Sequence, residues 1–593
     1  MGYITHDRRY DLGRICTFRL DNLLAGKKGF PSSPHPRIRR QGRASAEWTD
    51  VDRRQFIRAS GLLGTVGAAT LLGAQARPAA AAPALDGLYR PFVPEIYAPV
   101  RYAPEHSDTI VIGSGFGAAI TARRLAEAGI QVTMIERGSR WPRDLYRQIF
   151  ANDFAPDGRA FWRNRGVAPL TGLPTVPTDS FGGIFDVTEH GSIDVWRAAA
   201  VGGGSQVFTG VMIAPERRYF EAVFGSTVSF DELTSIYYPR VRSALRLSPM
   251  PDDIYASAPF THSRVWDAQV RRAGYEPSRI DGIWNWDTVR AELAGSSRPS
   301  SIIGESNLGN SNGAKYDLTQ NYLAAAEATG MCAIHPRHEV TSLTREADGR
   351  YALTVSILDA AATVIDRRTI TCNRLFLGAG SMGTSELLVR ARDTGSLPQL
   401  NEHVGQGWGT NGDAALVRGM SAEGFGGVQG SPSASRITDE SGTPLTLENW
   451  YVPGNPIDLT LLGSLGMVLD PTRGTFVYDQ ATDAVRLDWP SRGNRYVEEA
   501  LRAVHNRIAE RSGVGTGYPP LGVRDVNATF TAHPLGGAVL GKATDGYGRV
   551  HGYDNLYVVD GSLVPGSTGI VNPSLTISAL AERNIEQVLR AGG

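Results

Sequence analysis

From residue 108 onward, short continuous apolar runs alternate with longer stretches that mix apolar and polar positions. Thr109-Ile110-Val111-Ile112 is an uninterrupted β-branched run, the pattern of a strand buried on both faces. It enters Gly113-Ser114-Gly115-Phe116-Gly117-Ala118, after which small and apolar residues through Ala128 predict a helix closed by Gly129. Val132-Thr133-Met134-Ile135 then predicts a second strand, ended by Glu136. Leu375-Phe376-Leu377 repeats the theme, running into Gly378-Ala379-Gly380 and a helix through Leu388. Further on, Leu459 to Val468 reads as a strand, and Val571-Asn572-Pro573-Ser574-Leu575-Thr576 leads into a C-terminal helix.

The first glycines have distinct uses. Gly113 permits a tight turn, Gly115 lets backbone approach a pyrophosphate, and Ala118 is small enough for helix to pack on strand. A pyrophosphate there rests on the positive end of the following helix. Glu136, about 20 residues downstream, reaches an adenosine ribose hydroxyl, and an acid in that place argues against a 2′-phosphate. Residues 108–136 therefore read as a dinucleotide-binding unit.

Strand and helix alternating around this unit imply a doubly wound parallel sheet. Its closing strands return near 340–390 and 550–590, so the remaining segments are insertions. The predicted fold class is α/β: a doubly wound, Rossmann-like nucleotide-binding domain (107–141, 315–410 and 545–593) interleaved with an α+β substrate-binding domain (142–314 and 411–544) built on a large, mostly antiparallel sheet. A ligand pocket between the two is expected.

The segment before this unit reads differently. Residues 1–50, basic and Pro/Ser-rich, carry no core pattern and read as a disordered extension or a start placed too far upstream, with Val51 as an alternative initiation point. Residues 51–82 read as a twin-arginine signal peptide: Asp52-Arg53-Arg54-Gln55-Phe56-Ile57-Arg58, then the uncharged Gly/Ala-rich run Ala59–Ala76, with cleavage after Ala76 or Ala81. The run is too mildly apolar for a membrane span. Export of a folded, secreted protein is the expectation.

Lys+Arg and Asp+Glu are 60 each, leaving no charge excess to attract nucleic acid or an anionic membrane. Hydrophobic residues make up 41%, ordinary for a globular chain. Cys332 and Cys372 sit in apolar runs, so no disulfide framework is expected. There is no CxxC or HExxH pattern, and no metal is expected.

Two later constellations carry chemistry. Val201-Gly202-Gly203-Gly204-Ser205 enters an apolar run through Phe208, a backbone able to approach a flat ring or a phosphate. His533-Pro534-Leu535-Gly536-Gly537 is followed by a strand, Asp560-Gly561-Ser562, and Asn572-Pro573-Ser574. A His and an Asn so separated can converge on one spot.

Together these segments resemble the glucose-methanol-choline (GMC) oxidoreductases, and within them the secreted cholesterol oxidases of actinomycetes that hold FAD without a covalent bond. The match runs from residue 107 to residue 590. It includes Phe161-Trp162-Arg163-Asn164-Arg165, Pro215 to Phe220, Leu387 to Gly395, Arg473 to Asp479 and Gly541 to Asp545. The resemblance implies FAD contacts at Gly113, Gly115, Phe116, Gly117, Glu136, Gly203, Gly204, Ser205, Val340, Gly378, Asp560, Gly561 and Ser574. It implies oxidation of a 3β-hydroxysteroid, or of another secondary alcohol, with molecular oxygen as acceptor. A monomer that touches membranes transiently to extract sterol is the implied partner behaviour.

Such an alcohol must lose its hydroxyl proton and pass a hydride to the flavin. His533, with an ordinary pKa near 6.5, suits the first task, and Asn572 can bond the same oxygen or the edge of the isoalloxazine through its amide, without bringing charge. The family's shift of the steroid double bond, from 5-ene to 4-ene, uses a carboxylate in an apolar cavity, whose pKa desolvation raises. Counting back from Arg473-Gly474-Thr475-Phe476 with one inserted residue places it at Glu448, with Glu440 eight residues earlier as the alternative. The chain departs from the family at Phe208 (Asn in the family), at Ala198-Ala199-Ala200 (Gly-Arg-Gly) and at Ser574 (aromatic). These departures leave a flavin-loaded but weakly catalytic sterol binder standing beside the enzyme reading.

Overall fold

A computed structural model describes residues 88–592, except 152–155, 164–165, 168–175, 178–179, 421–427, 453–459 and 519–522. The predicted extension 1–50 and signal peptide 51–82 lie outside the described residues. Pro83–Gly593 forms one unit.

The chain opens with β1 (His106–Ile112), buried from Thr109 to Ile112, then α1 (Phe116–Glu127) and β2 (Val132–Ile135). A hairpin follows, β3 (Phe185–His190) and β4 (Ile193–Ala198), then α2 (Thr261–Arg272) and α3 (Tyr322–Ala328). Next come β5 (Cys332–His335), β6 (His338–Arg345), β7 (Tyr351–Leu358), β8 (Val364–Leu377) and α4 (Gly380–Asp393). The middle of the chain supplies β9 (Asp413–Gly419), β10 (Ser435–Asp439), β11 (Leu445–Trp450), β12 (Leu461–Val468) and α5 (Arg495–Ser512). The chain ends with β13 (Val526–Asn527), β14 (Phe530–Thr531), β15 (Leu556–Val558) and α6 (Ser574–Arg590).

The first sheet has the order β5-β2-β1-β8-β7-β6, with β15 beside the end of β8. Its centre is parallel, as the turn-helix pattern predicts: β1 pairs with β2 and β8, β2 with β5, and β8 with β15. It departs from a purely parallel sheet at one edge, where β6, β7 and β8 form an antiparallel meander. The 14 residues of β8 allow this, because Val364–Cys372 pairs with β7 and Thr371–Leu377 with β1. Helix α1 packs against α3 and α6, and their apolar faces join the strands in one core.

The second sheet, β13-β9-β12-β11-β10 with a last short strand at Ser278–Arg279, is antiparallel throughout. Side chains alternate across it. Ala414, Leu416, Leu445, Leu447 and Leu462 meet Trp266 of α2 and Leu501 of α5 on one face. Ala415, Trp450 and Leu465 meet Phe530 on the other. That second face roofs the site. Among the described residues no helix is long and apolar enough to cross a membrane.

Candidate active site

A cavity of about 660 Å³ runs between the carboxyl ends of the parallel strands and the Trp450 face of the antiparallel sheet, within the size range of small-molecule sites. Of the cofactor contacts read from the sequence, Gly113, Gly115, Phe116, Gly117, Glu136, Gly203, Gly204, Val340, Gly378, Asp560, Gly561 and Ser574 line it. Ser205 does not. Its hydroxyl donates to Gly202 O (2.7 Å) and accepts from Leu318 N (3.1 Å), which makes it an internal tie of the glycine loop.

The glycines divide into two kinds. At Gly113 (φ +86°) an added Cβ would lie 2.1 Å from Gly378 O, and at Gly117 it would lie 1.6 Å from Val559 O, so these two close the turn against neighbouring backbone. At Gly115 and Gly204 a Cβ would meet nothing within 4 Å. These two are open toward the cavity. Gly203 (φ +51°) seats its Cα region against Gly115, where a Cβ would come within 2.6 Å of Gly115 Cα. The two glycine loops thus form a continuous bare-backbone cradle at the start of α1, which fits the pyrophosphate and flat ring of FAD.

Glu136, 6% exposed, accepts from Ser114 Oγ (2.7 Å) and Gly138 N (2.9 Å), leaving further lone pairs for a ribose hydroxyl. Burial raises its pKa against these bonds. Asp560 is different: both its oxygens are filled, one by Ser562 N and Oγ (2.9 and 2.5 Å), the other by Gly380 N and Thr384 Oγ1 (2.9 and 2.5 Å). Its carboxylate pins the first turn of α4 to the loop at Gly561, and only its backbone is free for the cofactor.

At the far end, His533 and Asn572 line the cavity together. His533 Nδ1 lies 2.7 Å from Asp413 Oδ1. A carboxylate only accepts, so Nδ1 donates and Nε2 is the bare nitrogen of the neutral ring. Burial by itself lowers the imidazole's pKa, but the charges of Asp413 and Glu448 and the Asp413 hydrogen bond outweigh it, and the net shift is upward. Asn572 Nδ2 donates to Glu448 Oε2 at 3.3 Å. The other oxygen of each pair, Asn572 Oδ1 and Glu448 Oε1, is buried without a partner in the protein. Orphaned acceptors of this kind call for a ligand or water that donates.

Glu448 is 1% exposed, and burial pushes its pKa up to about 7. It does not itself line the cavity; Asn572 stands between. Glu440 is on the surface, bonded by Tyr219 OH at 2.7 Å and paired with Arg218, so burial favours Glu448 of the two. Phe208 lines the cavity edge-to-face with Phe116, ring centres 5.5 Å apart.

Two residues are absent from the sequence reading. Asp413 follows Asn411-Gly412, which looks like an ordinary surface turn; the signal was an acid entering Ala-Ala-Leu-Val, a buried strand. Lys315 is fully buried, and its ammonium donates to the carbonyls of Gln206 (2.9 Å), Phe208 (2.8 Å) and Ser306 (2.8 Å), fixing the backbone beside Phe208. Among the described residues no cluster of three or more His, Cys, Asp or Glu could hold a metal ion.

Residues 479–581 match the family model of the GMC oxidoreductases. The cholesterol oxidase of Acinetobacter baumannii is 26% identical over 81% of this chain and 94% of its own length. That of Mycobacterium tuberculosis is 27% identical over 80% of this chain and 90% of its own. Among solved structures, a pyridoxine 4-oxidase superposes with a TM-score of 0.55 at 17% identity, covering 82% of this chain and 99% of that one, and so shares the fold. With the glycine cradle and the paired His533 and Asn572, these likenesses support an FAD-dependent alcohol oxidase whose residues 479–581 are a GMC oxidoreductase C-terminal domain.

Proposed function

We propose that the alcohol is a 3β-hydroxysteroid, oxidised to the 3-ketone with molecular oxygen as final acceptor, and that FAD is held without a covalent bond. The carrying observation is the pairing of His533 Nε2 and the Asn572 amide with an apolar roof of Trp450, Leu465 and Phe530 in one cavity. Bound FAD supplies the hydride acceptor. His533 takes the hydroxyl proton, and Asp413 stabilises the imidazolium that results. Asn572 orients the oxygen by donating the second hydrogen of its Nδ2 to it, while the roof excludes water from the carbon that is oxidised. The cholesterol oxidases among the relatives support a sterol in this role.

Glu448 is the base of a following 5-ene to 4-ene isomerisation in this reading, because burial holds its pKa near 7, where a carboxyl both takes and returns a proton. Export through the twin-arginine route belongs to the same proposal. Lysine in place of Arg53 and Arg54 should keep the protein inside the cell, and normal secretion of that variant would remove this part.

The test is anaerobic bleaching of the purified yellow protein by a panel of alcohols, followed by air. A 3β-hydroxy-5-ene sterol should bleach it faster than benzyl-type or sugar alcohols, and air should restore the colour. Acid precipitation should release the flavin. Bleaching by another alcohol class alone would discard the sterol assignment, and no bleaching by any alcohol would favour the sterol binder.

A further inference from the structure

His533 and Asn572 are 39 residues apart in sequence, on separate loops. Both loops are tied to the same short segment, the turn from Gly409 to Asp413 that opens β9.

Asp413 is 1% exposed. One of its oxygens accepts from His533 Nδ1 (2.7 Å); the other accepts from Thr531 Oγ1 (3.0 Å) and Ala532 N (3.1 Å). Thr531 Oγ1 in turn accepts from His533 N (2.9 Å). Gly409 exchanges two backbone hydrogen bonds with Leu535, at 2.8 and 3.0 Å. The His533 loop is therefore held on both sides of the ring, and the ring is held at Nδ1.

Asn411, fully buried with φ +59°, ties down the other loop. Its N–H donates to Gly566 O (3.1 Å), its Nδ2 to Val571 O (2.9 Å), and its Oδ1 accepts from Thr568 N (2.9 Å). That loop needs restraint. Ile570, β-branched and two residues before Asn572, has φ +59°, a conformation that persists only where surrounding contacts over-determine it. Gly412 (φ +72°) completes the turn, with no room for a Cβ, which would lie 2.1 Å from Val468 O on β12.

We propose that the turn Gly409–Asp413 is the positioning element of the oxidation: Asp413 fixes the His533 ring with a bare Nε2 toward the substrate hydroxyl, and Asn411 fixes the strained loop that presents Asn572. It rests on the assignment of His533 and Asn572 to the alcohol. Asp413 acts through His533 and Asn411 through the loop; neither touches substrate. The charged groups facing His533 are Asp413 from β9 and Glu448 from β11.

Asp413→Asn separates this from a scaffold role. Thr531 Oγ1 and Ala532 N are donors, so the amide turns its oxygen to them and its NH₂ to His533 Nδ1. The ring then carries its proton on Nε2, facing substrate, and cannot accept another. The anaerobic rate of flavin reduction, with whichever alcohol bleaches the wild type fastest, should fall on the order of 10²–10⁴-fold. The acid limb of its pH profile should move to lower pH, because the charge that raised the His533 pKa is gone. Asn411→Ala should slow reduction while leaving the acid limb in place. A second measurement needs no turnover: in protein with ¹⁵N-labelled histidine, at a pH above the acid limb, the signal missing from His533→Ala should show a neutral ring protonated at Nδ1 alone in the wild type.

An Asp413→Asn protein that reduces flavin at the wild-type rate with an unmoved acid limb overturns the proposal. So does a wild-type His533 whose neutral ring is protonated at Nε2. Should no alcohol reduce the wild-type flavin, the reading of the reaction fails, and the ring-nitrogen measurement still decides this one.

Discussion

The parallel and antiparallel sheets build their halves of the site by opposite means. Over the parallel sheet the cavity is shaped by atoms that are missing: Gly115 and Gly204 offer bare backbone, and Gly113 and Gly117 allow the chain to close behind it. Under the antiparallel sheet the site consists of side chains that are present, buried and polar: Asp413, Glu448, His533 and Asn572. The first half is shaped by bare backbone and moves no proton. The second holds buried charge, and in the proposed function it carries the proton chemistry.

Substitutions that add or remove a few atoms should therefore have unlike outcomes in the two halves. The largest effect is expected at Gly117. A Cβ there would sit 1.6 Å from the carbonyl of Val559, a backbone atom that cannot swing aside. Gly117→Ala should yield no folded, yellow protein. At Gly115 the same added methyl meets nothing within 4 Å of protein. Gly115→Ala should fold with a near wild-type melting curve and lose visible flavin absorbance. If Gly115→Ala keeps FAD, the cradle is misassigned.

In the other half, His533→Ala should keep FAD and lose about 100-fold or more in flavin reduction, since a proton-accepting contact acts mainly in the transition state. The wild-type acid limb should lie above 6.5, the ordinary imidazole value, because the net shift of His533 is upward. An unchanged reduction rate returns His533 to a structural part.

How far each half could be read from the sequence follows the same division. The strand, glycine turn and helix at 108–136 are local, and each glycine answers to a backbone demand within its own turn, so the parallel core and the glycine turns that line the cavity were legible. The meander β6–β7–β8 was not, because one 14-residue strand serves two partners in opposite directions, and nothing local marks the change. His533 and Asn572 were singled out by chain order together with family likeness, and the structure brings both to one cavity. Asp413 was missed because its partner lies 120 residues away, and Asn411-Gly412-Asp413 taken alone is turn chemistry. Ser205 was assigned to the cofactor from its place in a glycine loop, where its hydroxyl instead ties that loop to Leu318.

Glu448 offers a smaller, thermodynamic test. A carboxyl that ionises near 7 in the folded state and at 4.5 when unfolded favours folding only while protonated. Its contribution is full below pH 4.5 and is lost as pH rises through 7; the difference is about 3 kcal/mol. Gln does not titrate and keeps an acceptor for Asn572 Nδ2. Denaturant unfolding should show Glu448→Gln gaining on the wild type by that amount between pH 4.5 and pH 8. The variant should still reduce flavin with sterol but accumulate the unconjugated 5-en-3-one. A pH-independent gap would mean that Glu448 is an ordinary, solvated acid.

The smallest effect is expected on the opposite face of the antiparallel sheet, where buried charge has no chemistry to perform. Arg418 is fully buried, with Nε donating to Gln269 Oε1 (2.6 Å), Nη1 to Ser464 Oγ (3.0 Å), and its plane 5.6 Å from the Trp266 ring. Its Nη2 has no partner, and burial pushes its pKa down to about 9. Arg418→Met removes an uncompensated cation, which is often neutral or stabilising by about 1–4 kcal/mol. It also leaves Gln269 Oε1 unsatisfied, at about 1–3 kcal/mol. Ser464 Oγ keeps the Trp266 Nε1 bond at 2.8 Å. The two terms nearly cancel, so the melting temperature should move little and flavin reduction should be unchanged. A collapse of stability in Arg418→Met would show that this cation has a partner role after all, and the division between a chemical face and a merely packed face of the sheet would no longer hold.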